Sequence, residues 1–239
     1  MRPHLMYARA PSAYPRGDPL GYALELGLEA LALQHDVHAD WIPDAQTNLR
    51  EVWIWDGWTQ WQPDRWRRTW DRVLRRASSG IGVIVDAEGA DEWAAAGRLE
   101  ALALIDRVLA AAAGGIPMMV TTFQFWPWRQ LLVDRVRELG GSAEVVLSPQ
   151  LFTPASEKNR DEYLRAFRGG SDLQPVIGYG SAERWRRDGP AYREYVRRMV
   201  CTHRGPYALW PTAPVPDLEG PYAAAVRELL QLETLPGVV

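Results

Sequence analysis

The sequence predicts an α/β protein built as a single (β/α)8 barrel of parallel strands, with residues 1–239 forming one domain. Three observations predict it. Short apolar runs rich in β-branched residues alternate with stretches of helical periodicity, and eight such alternations fit along the chain. Glycines and prolines fall between them, where helix starts, helix ends and turns call for them. At 239 residues, 47% hydrophobic and 24% charged, the chain can bury one large core, and no linker, low-complexity segment or repeat divides it.

Taken in order, Pro3 to Pro11 supplies a first strand, Pro19 to Gly27 a short helix and Leu28 to His38 a second strand. The polar stretch through Pro43 and Asn48 reads as a connection. Glu51 to Trp58 is the third strand, and Pro63 opens a helix to about Arg76 with Trp66, Trp70, Val73 and Leu74 on one face. Gly80 to Gly89 holds the fourth strand, an apolar run bounded by glycines, too short for a helix and ending in Asp86 and Glu88. Asp91 can cap the next helix, which carries Leu99, Leu102, Ile105 and Leu109 inward and stops at Gly114-Gly115. Ile116 to Phe123 is the fifth strand, Trp128 to Leu139 a helix, and Ala143 to Phe152 the sixth strand. A helix from Asp161 to Phe167 precedes the seventh strand, Leu173 to Tyr179. A helix opened by Pro190 precedes the eighth, Pro206 to Trp210, and Pro221 opens the last helix.

In a parallel barrel the chemistry sits at the carboxyl ends of the strands. Those ends collect Asp36, His38 and Asp40 from the second strand, Asp56 from the third, and Asp86 and Glu88 from the fourth. Thr122, Gln124, Gln150, Tyr179, Glu183 and Trp210 follow from the later ones. A lining of acids, amides and indoles suits neutral polyhydroxylated substrates. It does not suit phosphorylated ones, because the glycine-rich cradle and its lysine are absent. No GxSxG elbow or HExxH helix is present.

Glycosidic cleavage needs an acid to protonate the leaving oxygen and a second carboxylate as nucleophile or base. Glu88 is the expected proton donor, with Asp86 or Glu183 as its partner. Same-face residues two apart on a strand do not decide between the spacing of about 5–5.5 Å used by retaining enzymes and the roughly 6.5–9.5 Å of inverting ones. Asp36, His38, Trp55, Asp56, Gln124, Gln150, Tyr179 and Trp210 are the expected substrate contacts. The chain has 12 tryptophans, and Trp53, Trp55, Trp58, Trp61, Trp66 and Trp70 crowd one stretch. They serve either as core or as stacking platforms for sugar rings. Asp36, His38 and Asp40 alternate so that an extended strand would set them on one face, a trio able to hold a divalent metal or to bind substrate hydroxyls and orient Glu88. His4 and His203 have no spacing to complete a metal site, so neither a metal nor a cofactor is expected.

A net charge of −3 offers no broad basic field for nucleic acid, despite local arginine clusters. The one cysteine, Cys201, allows no internal disulfide and reads as a packed thiol. No secretory signal and no run of 18 apolar residues is visible, so synthesis in the cytoplasm without membrane association is expected. An outside target is then reached by lysis or by assembly into a virion.

Val83-Ile84-Val85-Asp86-Ala87-Glu88-Gly89 resembles the D-x-E strand of glycoside-hydrolase barrels, including the muramidases of glycoside hydrolase family twenty-five, in which a glutamate on this strand is the acid. The series Val52-Trp53-Ile54-Trp55-Asp56-Gly57-Trp58, Val85 to Gly89, Ser148-Pro149-Gln150-Leu151-Phe152, Gln174 to Tyr179 and Ala208-Leu209-Trp210 is similar to glycosidase-like barrels of actinobacteria and of bacteriophage tail or lysis modules. The resemblance implies a hydrolase of bacterial polysaccharide or peptidoglycan with Glu88 as acid. Its alternative implication is a non-catalytic barrel that binds glycan or serves as a part of a phage tail, with tail proteins as partners. Tyr7-Ala8-Arg9-Ala10 lacks the aspartate that the muramidases carry at the end of the first strand, a departure from their pattern.

Overall fold

The computed structural model describes residues 5–57, 63–77, 80–87, 95, 97–122, 128–138, 145–151, 176–180, 207–211 and 214–215. Eight strands, β1 (Leu5–Tyr7), β2 (Ala30–Gln34), β3 (Glu51–Gly57), β4 (Gly82–Ala87), β5 (Met118–Thr122), β6 (Val145–Leu151), β7 (Val176–Gly180) and β8 (Ala208–Pro211), pair in parallel in chain order. The pairing of β1 with β8 closes the sheet on itself. Among the described residues the first five strands are followed by α1 (Pro19–Glu25), α2 (Ile42–Asn48), α3 (Pro63–Ala77), α4 (Arg98–Ala113) and α5 (Arg129–Glu138). The helices expected around 161–167 and after Pro190 and Pro221 lie outside the described residues. No described helix is long and apolar enough to cross a membrane.

Parallel strands covered on both faces need apolar residues at every position, which is why their runs are continuous. All of β4 and β5 is buried. One alternate set, including Met6, Leu31, Leu33, Ile54, Val83 and Val85, packs outward against Trp70, Val73, Leu104, Val108 and Val133 of the helices. The other set fills the lumen: Leu5, Tyr7, Ala30, Ala32, Trp53, Trp55, Ile84, Met119, Val176 and Ala208. Small and large residues alternate around that ring, Ala32 standing beside Trp53 in the register, and the alanines leave the volume that the indoles occupy. Burying an indole removes roughly 150–250 Å² from water, an upper bound of about 4–6 kcal/mol before entropy is charged.

At the amino end of the barrel, Gly82 has no room for a side chain. A Cβ there would lie 2.6 Å from Trp53 Cζ3, inside van der Waals contact. The indole would have to swing into the adjoining cavity of about 270 Å³ lined by Arg50, Glu51 and Met118. That breaks the 3.3 Å bond from Trp53 Nε1 to Glu51 Oε2. Gly82→Ala is therefore expected to lower stability by about 1–3 kcal/mol in denaturant unfolding. An unchanged midpoint would show that the ring moves freely.

Four expectations are corrected. The second strand stops at Gln34, where Val37 and His38 N–H groups both turn back to the Gln34 carbonyl at 3.2 and 2.9 Å. The connection through Pro43 is helix α2, with the proline in its first turn, where its missing N–H costs nothing. Helix α4, after the fourth strand, opens at Arg98 following Gly97, whose φ of 84° favours glycine, while Asp91 lies outside the described residues. Leu99, expected inward, is 82% exposed. The buried stripe runs through Ala101, Leu104, Ile105 and Val108, and at 100° per residue Leu99 stands opposite Val108.

Candidate active site

The carboxyl end of β4 carries Asp86 into the lumen, only 2% exposed. Register puts Asp86 beside Thr121 of β5, and Thr121 beside Ser148 of β6, so the three form one inward level. Gln150, two residues on, shares their side of the sheet. Its Nε2 donates to Asp86 Oδ1 at 2.9 Å, a buried bond that crosses over β5. A charge-assisted bond of this kind is how a carboxylate is kept in a closed lumen. Thr122, the residue expected to face the site, instead donates its Oγ1 to the Ala87 carbonyl at 2.7 Å and ties the strand ends together. Thr121 is the inward residue, missed because Met118-Met119-Val120-Thr121-Thr122 does not alternate and hides its parity.

Around the lumen, three buried polar atoms have no hydrogen-bond partner among the described residues: Trp55 Nε1, Thr121 Oγ1 and Gln150 Oε1. Each such group costs about 1–3 kcal/mol when left unsatisfied. One donor, one acceptor and one hydroxyl that is both complement a hydroxylated ligand.

Aromatic rings form the other wall. Trp55 and Trp210 lie with centroids 5.4 Å apart, and Tyr7 stands 6.1 Å from Trp55 and 5.3 Å from Trp210. Trp55 is 6% exposed, packed against the rings of Tyr7 and Trp210; its Nε1 is buried in the lumen. Trp210 is half-buried, and the Arg9 guanidinium lies 5.1 Å from its centroid. Arg9 was not anticipated from the sequence, where nothing marks it.

The trio Asp36, His38 and Asp40 does not form. The chain turns after Gln34, leaving Asp36 and Asp40 exposed and His38 fully buried. Asp36 Oδ1 accepts from His35 Nδ1 at 2.6 Å. His38 Nδ1 accepts from the Gln34 N–H at 3.0 Å and Nε2 donates to the Arg9 carbonyl at 2.8 Å. That pattern defines the neutral tautomer and leaves no ring nitrogen for a metal, a substrate hydroxyl or Glu88. Burial draws its pKa below the ordinary 6.5, against the opposing pull of the bonds to Arg9 and Gln34. Tyr14, whose oxygen accepts the Arg9 N–H at 3.0 Å, is pushed up to about 12 by burial. Among the described residues no three of His, Cys, Asp and Glu converge to hold a metal ion. Glu88, Glu183 and Gln124 lie outside the described residues, and Asp56 and Tyr179 are placed only by their backbone, on β3 and β7.

No protein-family model matches the chain, and no curated protein matches it. Solved structures do. The apo 3-keto-D-glucoside 4-epimerase of E. coli aligns with a TM-score of 0.58 at 12% identity over 98% of this chain and 100% of its own. The D-psicose 3-epimerase of Clostridium cellulolyticum H10, solved with D-tagatose, aligns with a TM-score of 0.54 at 12% identity over 97% and 96%. What they share with this chain is the barrel. An endo-β-1,4-mannanase of Cellulomonas fimi aligns at 14% identity over 98% of this chain and 71% of its own, with a TM-score of 0.44, too loose to argue from. At such identities the first two establish a parallel α/β barrel-like fold and nothing about chemistry.

Proposed function

We propose that the chain is a complete (β/α)8 barrel that acts on carbohydrate, as a glycoside hydrolase of bacterial polysaccharide or peptidoglycan. The observation that carries this reading is the buried Asp86 carboxylate, bonded to Gln150 beside three polar atoms that lack partners among the described residues. Glu88, two residues after Asp86 in the sequence, protonates the leaving oxygen, and Asp86 acts as nucleophile or activates water. Trp210 supplies the sugar platform. Encounter with cell wall follows lysis or carriage on a phage particle.

A second reading is sugar epimerisation, favoured by the names of the two barrels that align best with this one among those described above. There a carboxylate moves a proton at carbon instead of at the glycosidic oxygen. The test is to incubate the protein with purified cell walls, a polysaccharide panel and free ketoses in deuterated water. New reducing ends, reduced about a hundredfold in Glu88→Gln, are the expected result. Deuterium entering a free sugar without chain cleavage would select epimerisation. Binding without either would leave a non-catalytic glycan-binding barrel.

A further inference from the structure

The geometry points to Arg9 as the recognition cation for a carboxylate-bearing sugar, a hexuronate or its polymer, with the acid group seated beside Trp210 at the mouth of the barrel. This rests on the carbohydrate reading above and narrows its substrate class.

Arg9 follows β1 and is held from both sides through its backbone. Its N–H donates to the Tyr14 hydroxyl at 3.0 Å, and its carbonyl accepts from His38 Nε2 at 2.8 Å. Both partners are buried side chains, Tyr14 at 5% exposure and His38 at 0%. Next to it the Ala8 N–H donates to the Ala32 carbonyl at 2.8 Å. Two buried polar side chains thus fix the position of one arginine whose own head group is left for something else.

That head group is set apart by the aromatic ring it lies over. Arg16, Arg50, Arg135 and Arg137 each pair with an acid within 3.5 Å. Among the described residues no carboxylate pairs with Arg9, whose guanidinium instead lies over the Trp210 ring. An arginine stacked on an aromatic face still has its planar N–H edge to offer, and that edge matches a carboxylate in a bidentate grip. The ring beneath belongs to the aromatic wall of the lumen, so an anion at Arg9 and a sugar face on Trp210 are neighbouring demands. A monoanion fits better than a phosphate dianion. The chain's one lysine is Lys158, no glycine-rich cradle is present, and the buried Asp86 carboxylate faces the same lumen.

The test titrates the full chain by calorimetry with D-glucuronate and D-galacturonate, each paired with its methyl ester, so that charge changes while the sugar does not. The acid should bind at least about tenfold tighter than its ester, the scale of a charge-assisted bond at a half-buried site. In Arg9→Gln the ratio should fall to near one, and in Arg9→Lys, which keeps the charge and loses the fork, it should lie between. The ties to Tyr14 and His38 run through the backbone, so both variants should melt close to the wild type. Equal affinity for acid and ester in the wild type, or a preference that survives in Arg9→Gln, overturns the assignment and leaves the carbohydrate reading standing. If the protein binds neither member of either pair, the assignment falls, and the carbohydrate reading is decided separately by the release of reducing ends from cell walls and polysaccharides.

Discussion

Replacing Asp86 with asparagine should lower glycan turnover by about 10³–10⁴ while leaving the melting temperature at or above that of the wild type. The two effects part because the residue does two jobs. For packing, asparagine is nearly the same object: its Oδ1 can still accept from Gln150 Nε2, as Asp86 does now at 2.9 Å. Its Nδ2 can donate to Gln150 Oε1, which lacks a partner among the described residues. The fold also sheds the cost of keeping a carboxylate 2% exposed in a closed lumen. For chemistry, an amide can neither attack an anomeric carbon nor take a proton from water, and loss of such a group costs about 10²–10⁴ or more in rate. Turnover and thermal melting on the same preparation make the check. A variant that melts several degrees lower yet keeps its turnover would show that Asp86 is a structural acid of the barrel rim and would move the chemistry elsewhere.

The parallel barrel was legible because its signal is redundant. Runs such as Val83-Ile84-Val85 read as buried strand whatever their neighbours do, and glycine and proline mark the boundaries independently. Asp86 was legible for the same reason, as an acid ending an apolar run where a parallel sheet places its chemistry. Other features depended on information that a one-dimensional pattern does not carry. Helix α2, Ile42-Pro43-Asp44-Ala45-Gln46-Thr47-Asn48, buries only Ile42 and Ala45, too little to show a periodicity. The spacing of Asp36, His38 and Asp40 copies a strand, yet the chain has already turned back on Gln34, a choice made by two backbone hydrogen bonds. Trp55 reads in the sequence as a substrate contact, while the rings packed against it, Tyr7 and Trp210, come from β1 and β8, far away in the chain. Arg9 was invisible for the same reason, because what distinguishes it is Trp210, Tyr14 and His38.

His38→Ala should be the most damaging single change to the fold among those argued here, lowering stability by about 3–5 kcal/mol. The imidazole joins the end of β1 to the end of β2, and its removal leaves the Gln34 N–H and the Arg9 carbonyl facing a cavity. Two orphaned buried groups at about 1–3 kcal/mol each, plus the lost contacts, give that figure. In a chain of this length the melting temperature should fall by about 10 °C. The same geometry sets a pH signature. Protonating the ring places a second donor on Nδ1 against the Gln34 N–H, so the folded state resists it, in keeping with a pKa drawn below 6.5 by burial. The unfolded chain takes up that proton first. Stability from this residue is therefore complete above about pH 6.5 and is lost as pH falls from there toward the lowered folded pKa, with no further change below it. Melting curves from pH 8 to 5 should show this step in the wild type and not in His38→Ala, the other histidines being common to both. Parallel curves would mean that His38 titrates alike in both states, and the neutral clamp on Arg9 would then have to be abandoned. If the step is present, acidification acts on the mouth as well as on the fold, because the group that loosens is the one holding the Arg9 backbone in place.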